Sequence, residues 1–198
     1  MTHPEFPFRL YLVTDQEACL GRDFFWVLEE ALKGGVQLIQ LREKYLSKDV
    51  FVEKALRAKE LCETYGVPLI INDAVDVAHA VGAFGLHVGQ QDMPLLLAKE
   101  QLGRSTPIGL SLDHPGNLSD PSASEAWYFG VSPIFTTPTK PDTYGSWGLD
   151  GLQWLREKTD KPLVAIGNIN TGNASDVIAH GADCLAIVSA ICGAANPN

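Results

Sequence analysis

The sequence predicts a compact α/β fold, a (β/α)8 TIM barrel, formed by residues 1–198 as a single domain. Three observations predict it. Eight short runs rich in Val, Ile and Leu alternate with longer amphipathic runs. The short runs lack strict apolar–polar alternation, the pattern of parallel strands buried on both faces. Glycine then joins helix to strand repeatedly, in GGVQLIQ, GVPLII, GAFGLHV and GADCLAIV. A glycine C-cap leading straight into a strand is the α-to-β joint of a βα unit. A doubly wound sheet is the second choice.

The strands are expected at residues 9–15 (RLYLVTD), 36–43 (VQLIQLRE), 67–73 (VPLIIND) and 85–88 (GLHV), then at 106–113 (TPIGLSLD), 126–134 (AWYFGVSPI), 162–169 (PLVAIGNI) and 184–190 (CLAIVSA). Helical periodicity covers 23–33, 48–65, 94–102, 149–158 and 173–180, with a short helix at 74–81. Asp23 and Asn173 stand where N-caps belong. Residues 115–124 (PGNLSDPSAS) carry too much Pro, Ser and Gly for a helix. Only residues 191–198 (ICGAANPN) follow the eighth strand. The closing helix is therefore expected to be short or missing, or the sequence to stop early.

The chain has 198 residues and a net charge of −9. That balance argues against electrostatic binding to nucleic acid or to an anionic membrane. No run reaches the roughly 20 apolar residues of a membrane span, and the N-terminus lacks a signal-peptide pattern. Cys19, Cys62, Cys184 and Cys192 form no C-x-x-C pair. Reduced thiols and a cytoplasmic setting follow. A homo-oligomer remains open.

In such a barrel, chemistry sits at the C-terminal ends of the strands. There the sequence places Gln40, Arg42, Glu43 and Lys44, then Asn72 and Asp73, then Gln90, Gln91 and Asp92. Ser111 and Asp113, Thr137 to Lys140, Gly167 with Asn168, and Ser189 follow. Arg42 and Lys44 are two apart, so on a strand they share a face. Arg grips phosphate oxygens bidentately and Lys adds a point charge. Asp73 and Asp92 come from neighbouring strands and suit one Mg2+, which takes one or two carboxylates plus phosphate oxygens. Together these groups suggest a metal diphosphate. Taken singly, Asp73 and Asp92 read as helix caps, Arg42 as half of an ion pair with Glu43 or Asp73, and His87 as a core residue. His114, at a strand end, is a modest candidate. The four tryptophans read as packing.

With these residues in place, the sequence resembles the thiamine-phosphate synthase family. The resemblance runs through YLVTD, GGVQLIQLREK, GVPLIIND, GLHVGQQDMP, IGLS, GVSPIFTTPTK, AIGNI and IVSAI, from Tyr11 to Ile191. It implies a (β/α)8 barrel that joins hydroxymethylpyrimidine diphosphate to a thiazole phosphate, giving thiamine monophosphate and pyrophosphate. It implies that Gln40, Leu41, Arg42, Glu43, Lys44, Asn72, Ser111 and Lys140 bind the pyrimidine diphosphate. Of these, Arg42, Lys44, Lys140 and Ser111 would be catalytic. Asp73 and Asp92 would hold Mg2+. Thr137, Pro138, Thr139, Gly167, Asn168, Val188 and Ser189 would meet the thiazole phosphate, largely through backbone N–H groups. The family usually has two glycines where this chain has Gly167 and Asn168. A side chain at 168 either crowds that phosphate or adds a hydrogen bond. The alternatives are a TenI-like thiazole tautomerase, which carries His where this chain has Asp113, and a non-catalytic paralogue that binds thiamine phosphate for regulation.

Overall fold

The computed structural model describes residues 5–136 and 145–198. Eight parallel strands close into a barrel in chain order. They are β1 (Leu10–Val13), β2 (Leu38–Leu41), β3 (Leu69–Asn72), β4 (Gly85–Val88), β5 (Ile108–Leu112), β6 (Tyr128–Val131), β7 (Leu163–Ile166) and β8 (Cys184–Ile187). Closure is the β8–β1 pairing, with Tyr11 opposite Ala186. Around them lie α1 (Phe24–Lys33), α2 (Lys48–Thr64), α3 (Val75–Val81), α4 (Leu95–Leu102), α5 (Gly148–Arg156), α6 (Ala174–Ala179) and α7 (Ser189–Cys192). None of the described helices is long and apolar enough to cross a membrane.

Lack of alternation in the strands has a direct cause, because both faces are apolar. Leu12, Ile39, Leu41, Ile71, Leu110, Phe129 and Ala165 face outward into one large cluster with the helices. Tyr11, Val13, Leu38, Ile70, Tyr128, Val164 and Ala186 face inward into a second. Trp127, Phe6 and Phe8 pack with the inner cluster, Phe6 lying 4.9 Å from the Trp127 ring. Each fully buried aliphatic side chain contributes about 1.5–3 kcal/mol. Both clusters therefore resist substitution.

Local signals set the joints. Asp23 caps α1 by accepting from Trp26 N at 2.8 Å. Gly66 and Gly82 take positive φ at the α2 and α3 ends, which lets the chain turn at once into β3 and β4. Two expectations are corrected. Asn173 does not cap α6 with its side chain. Its Oδ1 accepts from Asn170 N at 2.9 Å, which closes the preceding turn instead. The stretch after β5 is not wholly irregular, but forms two 3-10 turns, Pro115–Ser119 and Pro121–Glu125. The closing helix is one short turn, α7. Arg22 holds the segment beyond it through the Cys192 and Ala194 carbonyls.

Candidate active site

A cavity of about 350 Å³ opens at the C-terminal end of the barrel. Every strand contributes to it, because each strand's last inward side chain, or the loop after it, reaches the opening. Of the expected site residues, Gln40, Arg42, Lys44, Asn72, Asp73, Asp92, Ser111, Gly167, Asn168, Val188 and Ser189 line it. Thr137, Pro138, Thr139 and Lys140 lie outside the described residues.

Two members of the QLREK run do not bring side chains to the cavity. Leu41 is fully buried in the outer cluster. Glu43 turns to α2, where Lys54 Nζ approaches its Oε1 to 2.5 Å without the angle of a hydrogen bond. Arg42 is not paired with Glu43. Its NH1 lies 3.7 Å from Asp15 Oδ2, and its backbone N donates to Thr14 Oγ1 at 3.1 Å. Thr14 and Asp15, just after β1, thus hold Arg42. Neither residue received a site role from the sequence.

Asp73 follows β3 with φ near 60°, in the left-handed region. Asp and Asn tolerate that region better than other residues with a Cβ. Its N donates to His87 O at 2.9 Å. It does not cap α3, whose cap position is Ala74. Its carboxyl lies instead in hydrogen-bond contact with that of Asp92. Burial, and then the Asp92 carboxyl, push Asp73 up to about 7, against the opposing pull of Asn72 and Arg42. Asp92 does not cap α4 either. Its Oδ2 accepts from Gly89 N at 2.7 Å.

Two carboxyls forced together at a half-buried position fit a hard cation, which removes their repulsion. No group of three His, Cys, Asp or Glu side chains gathers as a metal cage among the described residues. Two carboxylates with ligand oxygens are the Mg2+ pattern, so the donor set fits.

His87 was expected in the core, but it lines the cavity. Its Nδ1 lies 2.8 Å from Tyr128 Oη and its Nε2 2.9 Å from Ser111 Oγ. Tyr11 and Tyr128 line the cavity floor and also lacked a sequence assignment. Gln90 and Gln91 also border the cavity. Gln90 Nε2 reaches the Ser111 carbonyl at 2.5 Å. Asp113 lines the cavity, whereas His114 does not. His114 is spent on a turn, with Gly116 N donating to its Nδ1 at 3.1 Å.

After β7 the lining runs through two successive residues at positive φ. Gly167 has φ near 120°, and a Cβ there would lie 2.7 Å from Pro133 Cβ. Conformation and space both demand glycine. Asn168 follows with φ near 52°. Its Nδ2 reaches Thr136 O at 3.3 Å, and its own carbonyl accepts from Asn173 Nδ2 at 3.0 Å.

The family model described as thiamine monophosphate synthase matches residues 10–191. The chain belongs to that family. It is 49% identical over 189 residues to a thiamine-phosphate synthase of Albidiferax ferrireducens, covering 96% of this chain and 86% of that one. It is 48% identical over 193 residues to one from Leptospira biflexa, covering 95% and 91%. A solved thiamine phosphate pyrophosphorylase from Pyrococcus furiosus superposes with a TM-score of 0.86 at 32% identity, covering 96% of this chain and 90% of that one. A 3-hexulose-6-phosphate synthase, at 18% identity and TM-score 0.65, shares the fold alone.

Proposed function

We propose that this chain is a thiamine-phosphate synthase, a transferase that couples hydroxymethylpyrimidine diphosphate to a thiazole phosphate. The observation that carries the reading is that Arg42 and Lys44 line one cavity together with the paired Asp73 and Asp92 carboxyls. Basic side chains and an uncompensated carboxyl pair together suit a metal diphosphate. The family supplies the rest of the substrate.

The reaction breaks one C–O bond and forms one C–N bond. The pyrimidine methylene ionises, and the C–O electron pair leaves with pyrophosphate. The aminopyrimidine ring stabilises the cation. The thiazole nitrogen lone pair then closes the C–N bond, so no protein nucleophile is needed. Arg42 and Lys44 stabilise charge as it grows on the leaving group. The family resemblance adds Lys140, which lies outside the described residues, and Asn72 and Gln40 would orient the pyrimidine diphosphate. Asp73 and Asp92 would hold Mg2+, which when bound neutralises pyrophosphate oxygens. The thiazole phosphate would sit against Gly167, Asn168, Val188 and Ser189, and the family resemblance adds Thr137, Pro138 and Thr139, which lie outside the described residues. Four buried free thiols support a cytoplasmic setting.

The test is direct. Purified protein with both substrates and Mg2+ should release pyrophosphate and form thiamine monophosphate in equal amounts. Tight product binding without turnover would instead support a regulatory paralogue.

A further inference from the structure

A continuous run of polar side chains crosses the cavity floor. Gln40 Nε2 donates to Tyr11 Oη at 2.8 Å. Tyr11 Oη lies 3.0 Å from Tyr128 Oη. Tyr128 Oη lies 2.8 Å from His87 Nδ1, and His87 Nε2 lies 2.9 Å from Ser111 Oγ. The five residues come from β2, β1, β6, β4 and β5. Gln40, Tyr11 and Tyr128 are buried, and His87 nearly so.

The sequence makes room for this run. A Cβ at Gly109 would fall onto the Tyr128 ring, and one at Gly130 would lie 2.9 Å from His87 Cε1. Both glycines are in ordinary strand backbone, in β5 and β6. Neither is there for a turn. They are small because the rings occupy their space. The His87 and Tyr128 rings stack, 5.5 Å between centroids.

Counting protons gives the run a direction. With the Gln40 amide donating to Tyr11 Oη, the direction that gives both phenol hydrogens an acceptor within the run sends the Tyr11 proton to Tyr128 Oη. The Tyr128 proton then goes to His87 Nδ1. A neutral imidazole that accepts at Nδ1 carries its proton on Nε2 and donates to Ser111 Oγ. The Ser111 hydrogen is left to point into the cavity. Burial raises both phenols well above their ordinary range, so they remain donors.

We infer that His87 is a positioning residue, locked as the Nε2–H tautomer by Tyr128, that fixes Ser111 as a hydrogen-bond donor to the bound substrate. The Gln40 amide is held at the other end of the same run. Its carbonyl oxygen is thereby turned away from Tyr11. In the opposite direction Tyr11 Oη would accept from both Gln40 and Tyr128, or the amide would be reversed, and Ser111 would donate to His87 and face the cavity as an acceptor. The substrate half of the inference rests on the synthase reading, with the pyrimidine diphosphate as the acceptor. The tautomer half does not.

The experiment is 15N NMR of histidine-labelled full-length protein at about pH 8, above the ordinary imidazole range. The His87 signal is assigned by its loss in His87→Gln. The expected result is one neutral Nε2–H tautomer in the wild type and a mixture of tautomers in Tyr128→Phe. A wild-type Nδ1–H tautomer, or no change in Tyr128→Phe, overturns the inference whether or not the protein turns over substrate. Kinetics separate positioning from packing. Tyr128→Phe should raise KM for the pyrimidine diphosphate about tenfold, the size of one lost oriented hydrogen bond. KM for the thiazole phosphate should stay put. An equal change for both substrates would mean that the ring only packs.

Discussion

At the ends of β2, β3 and β4 the cavity is walled by charged residues, whereas at the ends of β7 and β8 it is walled by uncharged ones, two of them at positive φ. The first wall carries Arg42, Lys44, Asp73 and Asp92, and its energy is electrostatic. Two carboxyls are held together and one is pushed up to about 7. The second wall carries Gly167, Asn168, Val188 and Ser189, and its energy is conformational. It depends on positive φ at two successive residues. Substitution on the first wall should change chemistry before fold, and on the second wall fold before chemistry.

The largest effect expected is on the charged wall. Lys44→Ala removes a cation from the proposed leaving-group site and should lower kcat about 10²- to 10³-fold, the cost of losing one preorganised group at a developing charge. Lys44 is exposed at the cavity edge, so unfolding stability should move by less than about 0.5 kcal/mol. Steady-state kinetics and a thermal melt on one preparation check both halves. Comparable losses in both would erase the distinction between the walls. Gly167→Ala is the mirror experiment. The new Cβ would meet Pro133 and Ile134 N within 2.9 Å at a φ that L-residues avoid. Stability should fall by about 2–4 kcal/mol, read from denaturant unfolding. A stable Gly167→Ala protein would show that the second wall can shift without cost.

A pH effect belongs to the first wall alone. The Asp73 pKa is raised on folding, first by burial and then by Asp92. Between its unfolded value near 3.8 and its folded value of about 7, the folded state holds more protons than the unfolded one. The metal-free protein should therefore lose stability from this group as pH rises through that window. Solvent screening at the open cavity limits the effect to about 1–2 kcal/mol. Asp92→Asn removes the neighbouring charge, so the difference between the two unfolding profiles isolates it. Mg2+ at about pH 8 should restore stability to the wild type more than to Asp92→Asn, by mass action on the folded state. Identical profiles in the two proteins would sink the carboxyl-pair account.

The fold was legible because its signals are local. Gly66 and Gly82 end helices and begin strands, and both take the positive φ that the sequence argument requires. The charged wall was legible because Arg, Lys and Asp at the ends of buried strands have few structural reasons to be there. The same two-residue period that puts Arg42 and Lys44 on one face puts Glu43 on the other, where Lys54 meets it. Tyr11, His87 and Tyr128 were hidden for a different reason. Four-residue strands with two apolar faces give no contrast between inside and outside, and Tyr and His are each at home in a core. The usable clue was indirect, in Gly109 and Gly130, strand glycines whose missing side chains mark a neighbour's ring.

The smallest effect tests why the second wall tolerates a side chain at all. Asn168 sits at φ near 52°, where a Cβ ordinarily costs about 1–2 kcal/mol. Asn reduces that cost, and its amide reaches Thr136 O at a long 3.3 Å. If left-handed tolerance is what selects it, Asn168→Gly should be neutral within about 0.5 kcal/mol, and Asn168→Ala should lose about 1 kcal/mol. If the bond to Thr136 were what matters, both variants would lose the same amount, because both lack the amide. The thiazole phosphate adds an independent reading. The Asn168 side chain is tied toward the loop after β6, so its removal in Asn168→Gly should leave KM for that substrate within about twofold, an energy of under ~0.5 kcal/mol. A large fall in that KM would mean that the side chain crowds the phosphate. The charged wall, which makes no use of Asn168, should keep its KM for the diphosphate in every one of these variants.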